Sequence, residues 1–191
     1  VSLSWDDGRS STYRSLAIQD RHGVDATYFV NSDQIGTSGY YLSRGQLDEV
    51  AAGNEIGGHT EGHVNLVEVS PDRARDAICD DRDTIVDWYG PDAGVSFAYP
   101  YGANATAQDL VEACGYSLGR ITSGLQGPLG CDACRAVESL PPRNRFAIES
   151  SGSVRADWSL ADLQGLVLQA EEAGGGWVNY VLHAISSSTA D

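Results

Sequence analysis

Chemistry in this chain would fall to a small set of side chains. His59-Thr60-Glu61-Gly62-His63 sets two of the four histidines four positions apart. In a helical turn such residues share a face, and two imidazoles there can reach one metal ion. Asp6-Asp7 adds adjacent carboxylates, which repel unless a positive charge compensates them. At a strand end successive side chains point in different directions. One carboxylate can therefore bind a metal while the other faces the metal's open position. Two His and one carboxylate with one position left open form a catalytic zinc set. The same donors suit other divalent transition metals. Each signal is modest alone: Asp7-Gly8 is also a turn signal, and an isolated His183 reads as easily as a core residue.

These side chains need a frame, and the sequence alternates as a frame would. Val1–Trp5, Val24–Val30, Glu55–Gly58, Gly94–Tyr99, Tyr116–Ile121 and Trp177–Leu182 read as strands. Helical patterns run over Ser10–His22, Ser43–Gly53, Pro71–Tyr89, Thr106–Cys114 and Ser159–Ala173. Thr122–Ser153 reads as a long excursion with one short strand near Arg135–Glu138. Alternation of this kind implies βαβ units and a parallel sheet, either a small barrel or an open sheet. In both, chemistry sits at the carboxyl ends of the strands. Asp6-Asp7, His59, Pro100-Tyr101, Arg120 and His183 all fall at or just after predicted strands.

Length and charge narrow the function. The chain of 191 residues fits one domain, and its net charge is -15, with twelve basic residues that are all Arg. No basic patch exists to bind nucleic acid, and anionic membranes would repel the surface. No run approaches the ~18 apolar residues of a membrane span. A neutral partner such as a carbohydrate fits. The chain opens inside a strand, so an N-terminal segment is expected to be missing.

Four stretches together resemble a known family. Ser4-Trp5-Asp6-Asp7-Gly8, His59-Thr60-Glu61-Gly62-His63, Phe97-Ala98-Tyr99-Pro100-Tyr101-Gly102 and Val181-Leu182-His183 are similar, in order and spacing, to motifs of the NodB-homology polysaccharide deacetylases, carbohydrate esterase family four. The resemblance spans Ser4 to His183, and thus residues 1–191 as one catalytic domain. It implies an α/β fold, a distorted (β/α) barrel with about seven parallel strands. It implies that Asp7, His59 and His63 bind a divalent metal, Zn2+ first, with Co2+ or Ni2+ as alternatives. Asp6 would be the general base and His183 the general acid. The backbone N–H of Tyr101 would help stabilise the oxyanion. Pro100 and Tyr101 would contact substrate, and Leu182 would line a pocket for the acetyl methyl. The substrate would be an N-acetylglucosamine glycan such as chitin or peptidoglycan. Alternatives are an acetylxylan, a small amide, or a non-catalytic carbohydrate-binding domain that keeps a metal. Tyr40, Tyr41, Tyr101 and Trp158 are candidate sugar platforms. A secreted or extracytoplasmic monomer is expected.

Two departures from the family pattern stand out. The third motif carries Ala98 where the family has an Arg that orients the base. The fourth motif is not evident, and Asp157-Trp158 reads as a lead into the last helix. Arg120, ending the fifth predicted strand, is expected to supply the missing guanidinium through a two-pronged hydrogen bond to Asp6; a surface pairing with Asp109 or Glu112 is the competing reading. Cys131-Asp-Ala-Cys134 lacks the second pair that a zinc ribbon needs. The expected disulfides are Cys79–Cys114, joining helices that neighbour each other in a barrel, and Cys131–Cys134.

Overall fold

The computed structural model describes residues 1–102, 107–128, 131 and 133–186. Seven strands form one parallel sheet: β1 (Ser2–Trp5), β2 (Thr27–Val30), β3 (Glu55–Gly58), β4 (Ser96–Ala98), β5 (Leu118–Gly124), β6 (Ile148–Ser150) and β7 (Asn179–Leu182). Their spatial order is β6-β5-β4-β3-β2-β1-β7. The edge strands come together through a parallel bridge of Ser153 with Val181, extended by Val154 N–H to Val181 O at 2.7 Å. The sheet is a nearly closed, distorted (β/α) barrel.

Helices α1 (Leu16–His22), α2 (Arg44–Ala51), α3 (Pro71–Tyr89), α4 (Gln108–Ala113) and α5 (Leu160–Glu172) accompany the strands. Local chemistry fixes their ends. Ser43 and Gln46 form a capping box on α2, as Ser159 and Asp162 do on α5. Ser70 caps α3 ahead of Pro71. Buried side chains pack in three clusters, centred on Trp5, Tyr28 and Leu47; on Ile78, Phe97 and Val111; and on Leu166 and Tyr180. Cys79–Cys114 ties α3 to α4, and Cys131–Cys134 closes a short loop in the excursion.

The structure corrects the sequence in four places. The strand expected near Arg135–Glu138 is not one: Arg135 and Glu138 make only isolated bridges, to Leu125 and Trp177. The sixth strand is Ile148–Ser150, paired with β5 across a register shift. The helix expected over Ser10–His22 begins as a 3-10 helix over Ser10–Ser15. His59 to His63 is not a helical turn, because Thr60 and His63 both take left-handed backbone conformations, with φ of 62° and 57°. The predicted start of α4 at Thr106 lies outside the described residues.

Candidate active site

Asp6 and Asp7 follow β1, and the turn separates their roles. Asp6 continues the strand, its N–H donating to Leu182 O at 2.8 Å. Asp7 turns sharply, with φ of 72°. Its Oδ1 then lies 3.4 Å from His59 Nε2 and 3.3 Å from His63 Nε2. One ligand atom from each of Asp7, His59 and His63 falls within 4.8 Å of the others.

Three observations fit this cluster to a cation. His59 Nδ1 donates to Ala98 O at 2.7 Å, which leaves the Nε2 lone pair facing Asp7. Asp7 Oδ1 is buried and accepts no hydrogen bond among the described residues. Asp7 Oδ2 is held from the other side by Arg9, through Nε at 3.1 Å and Nη2 at 2.8 Å. Burial opposes ionisation of Asp7, but His59 and His63 overcome it and hold the carboxyl well below the usual range. The set of two imidazoles and a carboxylate is that of an open zinc-type site.

Asp6 is buried beside this cluster, 1% exposed, and Arg120 reaches it from β5. A single amino group, Nη2, donates to both carboxylate oxygens, at 2.6 and 2.7 Å. The contact is therefore one-pronged, not the fork expected from sequence. The guanidinium lies over the Phe29 ring at 5.0 Å, which fixes its plane. Its Nε and Nη1 find no partner among the described residues, and Arg120 lines a cavity of about 150 Å³ in which Ser4, Glu55 and Asn179 stand among apolar neighbours such as Phe97, Leu118 and Ile148. Water fits there. Ala98 pairs with Arg120 in register, so the guanidinium comes from the strand directly beside the position where it was missed.

His183 follows β7, with Nε2 3.9 Å from Asp6 Oδ2. Burial lowers its proton affinity, against the pull of Asp6 and Asp7. Pro100 is buried and Tyr101 is 66% exposed, with φ of 59°. The Tyr101 ring meets His63 edge-on at 4.6 Å. Leu182 packs against both the Trp5 cluster and the Leu166 cluster, and lines an apolar groove with Leu3, Leu163 and Tyr180. Trp158 packs in that same region, beside Leu166, and not at the cluster. Tyr40 and Tyr41 stand edge to face at 5.0 Å, and Arg9 lies over Tyr40 at 5.3 Å.

Sequence reasoning missed three supports. Besides Arg9, Asn31 after β2 donates from its amide to His59 O at 2.6 Å and Thr60 O at 2.9 Å. Asp81 of α3 accepts from His59 N at 2.8 Å and Ser32 N at 3.0 Å. Asp81 was legible in principle, since it interrupts the apolar stripe Ala74, Ala77, Ile78 and Ile85 with a charge.

Comparison with known proteins agrees with this arrangement. Residues 1–119 match the model of the polysaccharide deacetylase family. Among curated proteins no match is found. The fold is shared with a Streptococcus pyogenes deacetylase, PplD, solved with acetate: 22% identity over 87% of this chain and 69% of that one, TM-score 0.73. It is shared with a Streptomyces lividans family 4 carbohydrate esterase, also with acetate: 19% identity, 99% and 81% coverage, TM-score 0.62. The peptidoglycan deacetylase PdaC of Bacillus subtilis gives 19% identity, 98% and 76% coverage, and TM-score 0.60. With its motifs on the barrel's catalytic face and more than half its length matched, the chain belongs to the polysaccharide deacetylase family.

Proposed function

We propose that this chain is a metal-dependent hydrolase that removes acetyl groups from an N-acetylglucosamine glycan such as chitin or peptidoglycan. The observation that carries this is the convergence of Asp7, His59 and His63 beside the buried Asp6–Arg120 pair. Asp7, His59 and His63 would hold the divalent cation, Zn2+ first, with Co2+ or Ni2+ as alternatives. Such a cation, when bound, supplies Lewis acidity toward the acetyl carbonyl.

The remaining steps belong to the protein. Asp6 takes a proton from the attacking water. Arg120, as a positioning residue, holds Asp6 in one rotamer through its Nη2. The Tyr101 backbone N–H faces the developing oxyanion. His183 gives a proton to the leaving nitrogen, so amide and water become amine and acetate. Pro100 and Tyr101 border the substrate. Leu182, just before His183, would line the pocket for the acetyl methyl. Three protein ligands, not four, favour an open catalytic site over a structural one. Two disulfides support an oxidising, extracytoplasmic setting for this single catalytic domain.

The test is acetate release from acetylated oligosaccharides with added metal. Loss on chelation and recovery with Zn2+ supports the reading. Turnover that is indifferent to chelation overturns it. A panel containing acetylxylan separates amide from ester substrates.

A further inference from the structure

Asp7 presents its two carboxylate oxygens to opposite surroundings. Oδ1 faces His59 Nε2 and His63 Nε2 and accepts no hydrogen bond among the described residues. Oδ2 accepts two, from Nε and Nη2 of Arg9, at 3.1 and 2.8 Å. Both donors lie on one edge of the guanidinium and converge on a single oxygen. Charge-assisted bonds of this kind are about twice as strong as neutral ones. Oδ2 is thereby taken, and Oδ1 is the Asp7 oxygen left for a cation.

Arg9 is itself held in place. Its backbone bridges Tyr41, and its neighbours pair with the same loop. Leu42 N–H donates to Gly8 O at 2.8 Å, and Ser10 N–H donates to Tyr40 O at 2.9 Å. The guanidinium lies over the Tyr40 ring, 5.3 Å from its centroid. Backbone pairing thus sets where Arg9 starts, and the ring sets the plane in which it meets Asp7. Hydrogen bonds to the outer side of a ligand fix its orientation as well as its basicity.

Ligand number decides what such a cluster selects. Asp7 Oδ1, His59 and His63 offer one ligand atom each, which suits four-coordinate Zn2+ with a position left open. An Asp7 that used both oxygens would add a donor, and an ion that seeks more ligands, such as Ni2+, would gain by it. Divalent ions are separated in proteins by geometry and ligand type more than by raw affinity. We infer that Arg9 selects the metal: by occupying Asp7 Oδ2 it limits Asp7 to one-oxygen ligation and biases the cluster toward Zn2+ over Ni2+. Arg9 acts through Asp7 and is a positioning residue. The inference rests on the metal-dependent reading above and is independent of the substrate.

The test measures metal affinity with no substrate present. The full chain, loaded with Zn2+ alone or Ni2+ alone, is titrated with a chromophoric chelator, and the two dissociation constants give its preference. Arg9→Ala frees Oδ2. It should weaken Zn2+ binding about tenfold to a hundredfold, as loss of an outer partner does, and weaken Ni2+ binding less, so that the preference falls by about tenfold or more. Arg9→Lys keeps a charge but loses the planar fork, and should fall between. The Co2+-loaded chain gives an independent signature, because four-coordinate Co2+ absorbs visible light far more strongly than Co2+ with more ligands. The wild type should show the strong band and Arg9→Ala a weaker one. An unaltered preference in Arg9→Ala, whether both affinities drop equally or neither changes, overturns the selective role. A Co2+ band of equal strength in both chains overturns it as well. A wild type that binds none of the three ions overturns the metal reading and this inference together. The expected shift in preference, in a chain that releases no acetate from any substrate, upholds the role of Arg9 while the deacetylase reading fails.

Discussion

Among the described residues from Val1 to Gly119, the backbone enters the left-handed region at four that carry side chains: Asp7, Thr60, His63 and Tyr101. Among the described residues after Gly119 only glycines do so, including Gly124, Gly152 and Gly174. Holding a non-glycine residue there costs about 1–2 kcal/mol, and a β-branched Thr60 is a true outlier. The four strained positions all belong to the metal cluster or its rim. The described turns of the later part of the barrel are just as sharp but keep no side chain there. Glycine would have relieved the strain at the cluster, so its absence identifies the positions where a particular side chain matters more than local stability.

Breaking the strained part should have the largest effects. His59→Ala and His63→Ala should each abolish metal retention and reduce acetate release to background, checked by metal analysis of the purified variants alongside the assay. Asp6→Asn should keep the metal and lower turnover by about 10²–10⁴-fold. If it strips the metal while Asp7→Asn does not, the two carboxylates have exchanged roles. Arg120→Lys keeps the charge but not the planar group over Phe29, and should cost up to about a hundredfold at unchanged metal content.

The disulfides compare the two parts directly. Cys79–Cys114 spans 35 positions in the first part, and Cys131–Cys134 spans 3 in the second. The chain-entropy view assigns about 4 kcal/mol to the first and about 2 kcal/mol to the second. Urea unfolding of the two double-Ala variants should rank them in that order.

A pH effect on stability also belongs to the first part. Burial raises the Asp81 carboxyl from 3.8 to about 7, despite the N–H groups it accepts from Ser32 and His59. Stability linked to that raised value is complete below about pH 3.8 and is lost as the pH rises to about 7. Wild-type stability, measured against Asp81→Asn, should fall across that window and run parallel on either side.

The smallest change concerns Tyr101. Tyr101→Gly removes an exposed ring but relieves a left-handed backbone, at the entropic cost of glycine. Thermal unfolding should move by no more than about 1 kcal/mol, while KM for the N-acetylglucosamine hexamer rises.

Much of this was legible because strand ends are fixed by pattern. Asp6, His59 and His183 each fall just after a short strand, and parallel topology then brings them to one face; Arg120, expected to end its strand, lies inside β5, which runs on to Gly124. The sixth strand escaped because Ile148–Ser150 is three residues long and owes its pairing to β5, not to its own alternation. The turn between His59 and His63 escaped for the opposite reason. Thr60 is a residue that local rules exclude from left-handed backbone, and only surrounding contacts keep it there. Arg9, two residues from Asp7, was readable as a counter-charge, whereas Asn31 carries no sequence signal that distinguishes it from a polar residue ending a strand.

Asn31 and Asp81 clasp the carbonyl and the amide of His59 respectively. The His59 N–H is aimed at a carboxylate that is fully buried. Its exchange with deuterium therefore cannot proceed by fraying of a turn and must await a larger opening of α3 from β3. That single amide should rank among the slowest in the molecule. Its rate would report how often the catalytic face comes apart as a unit.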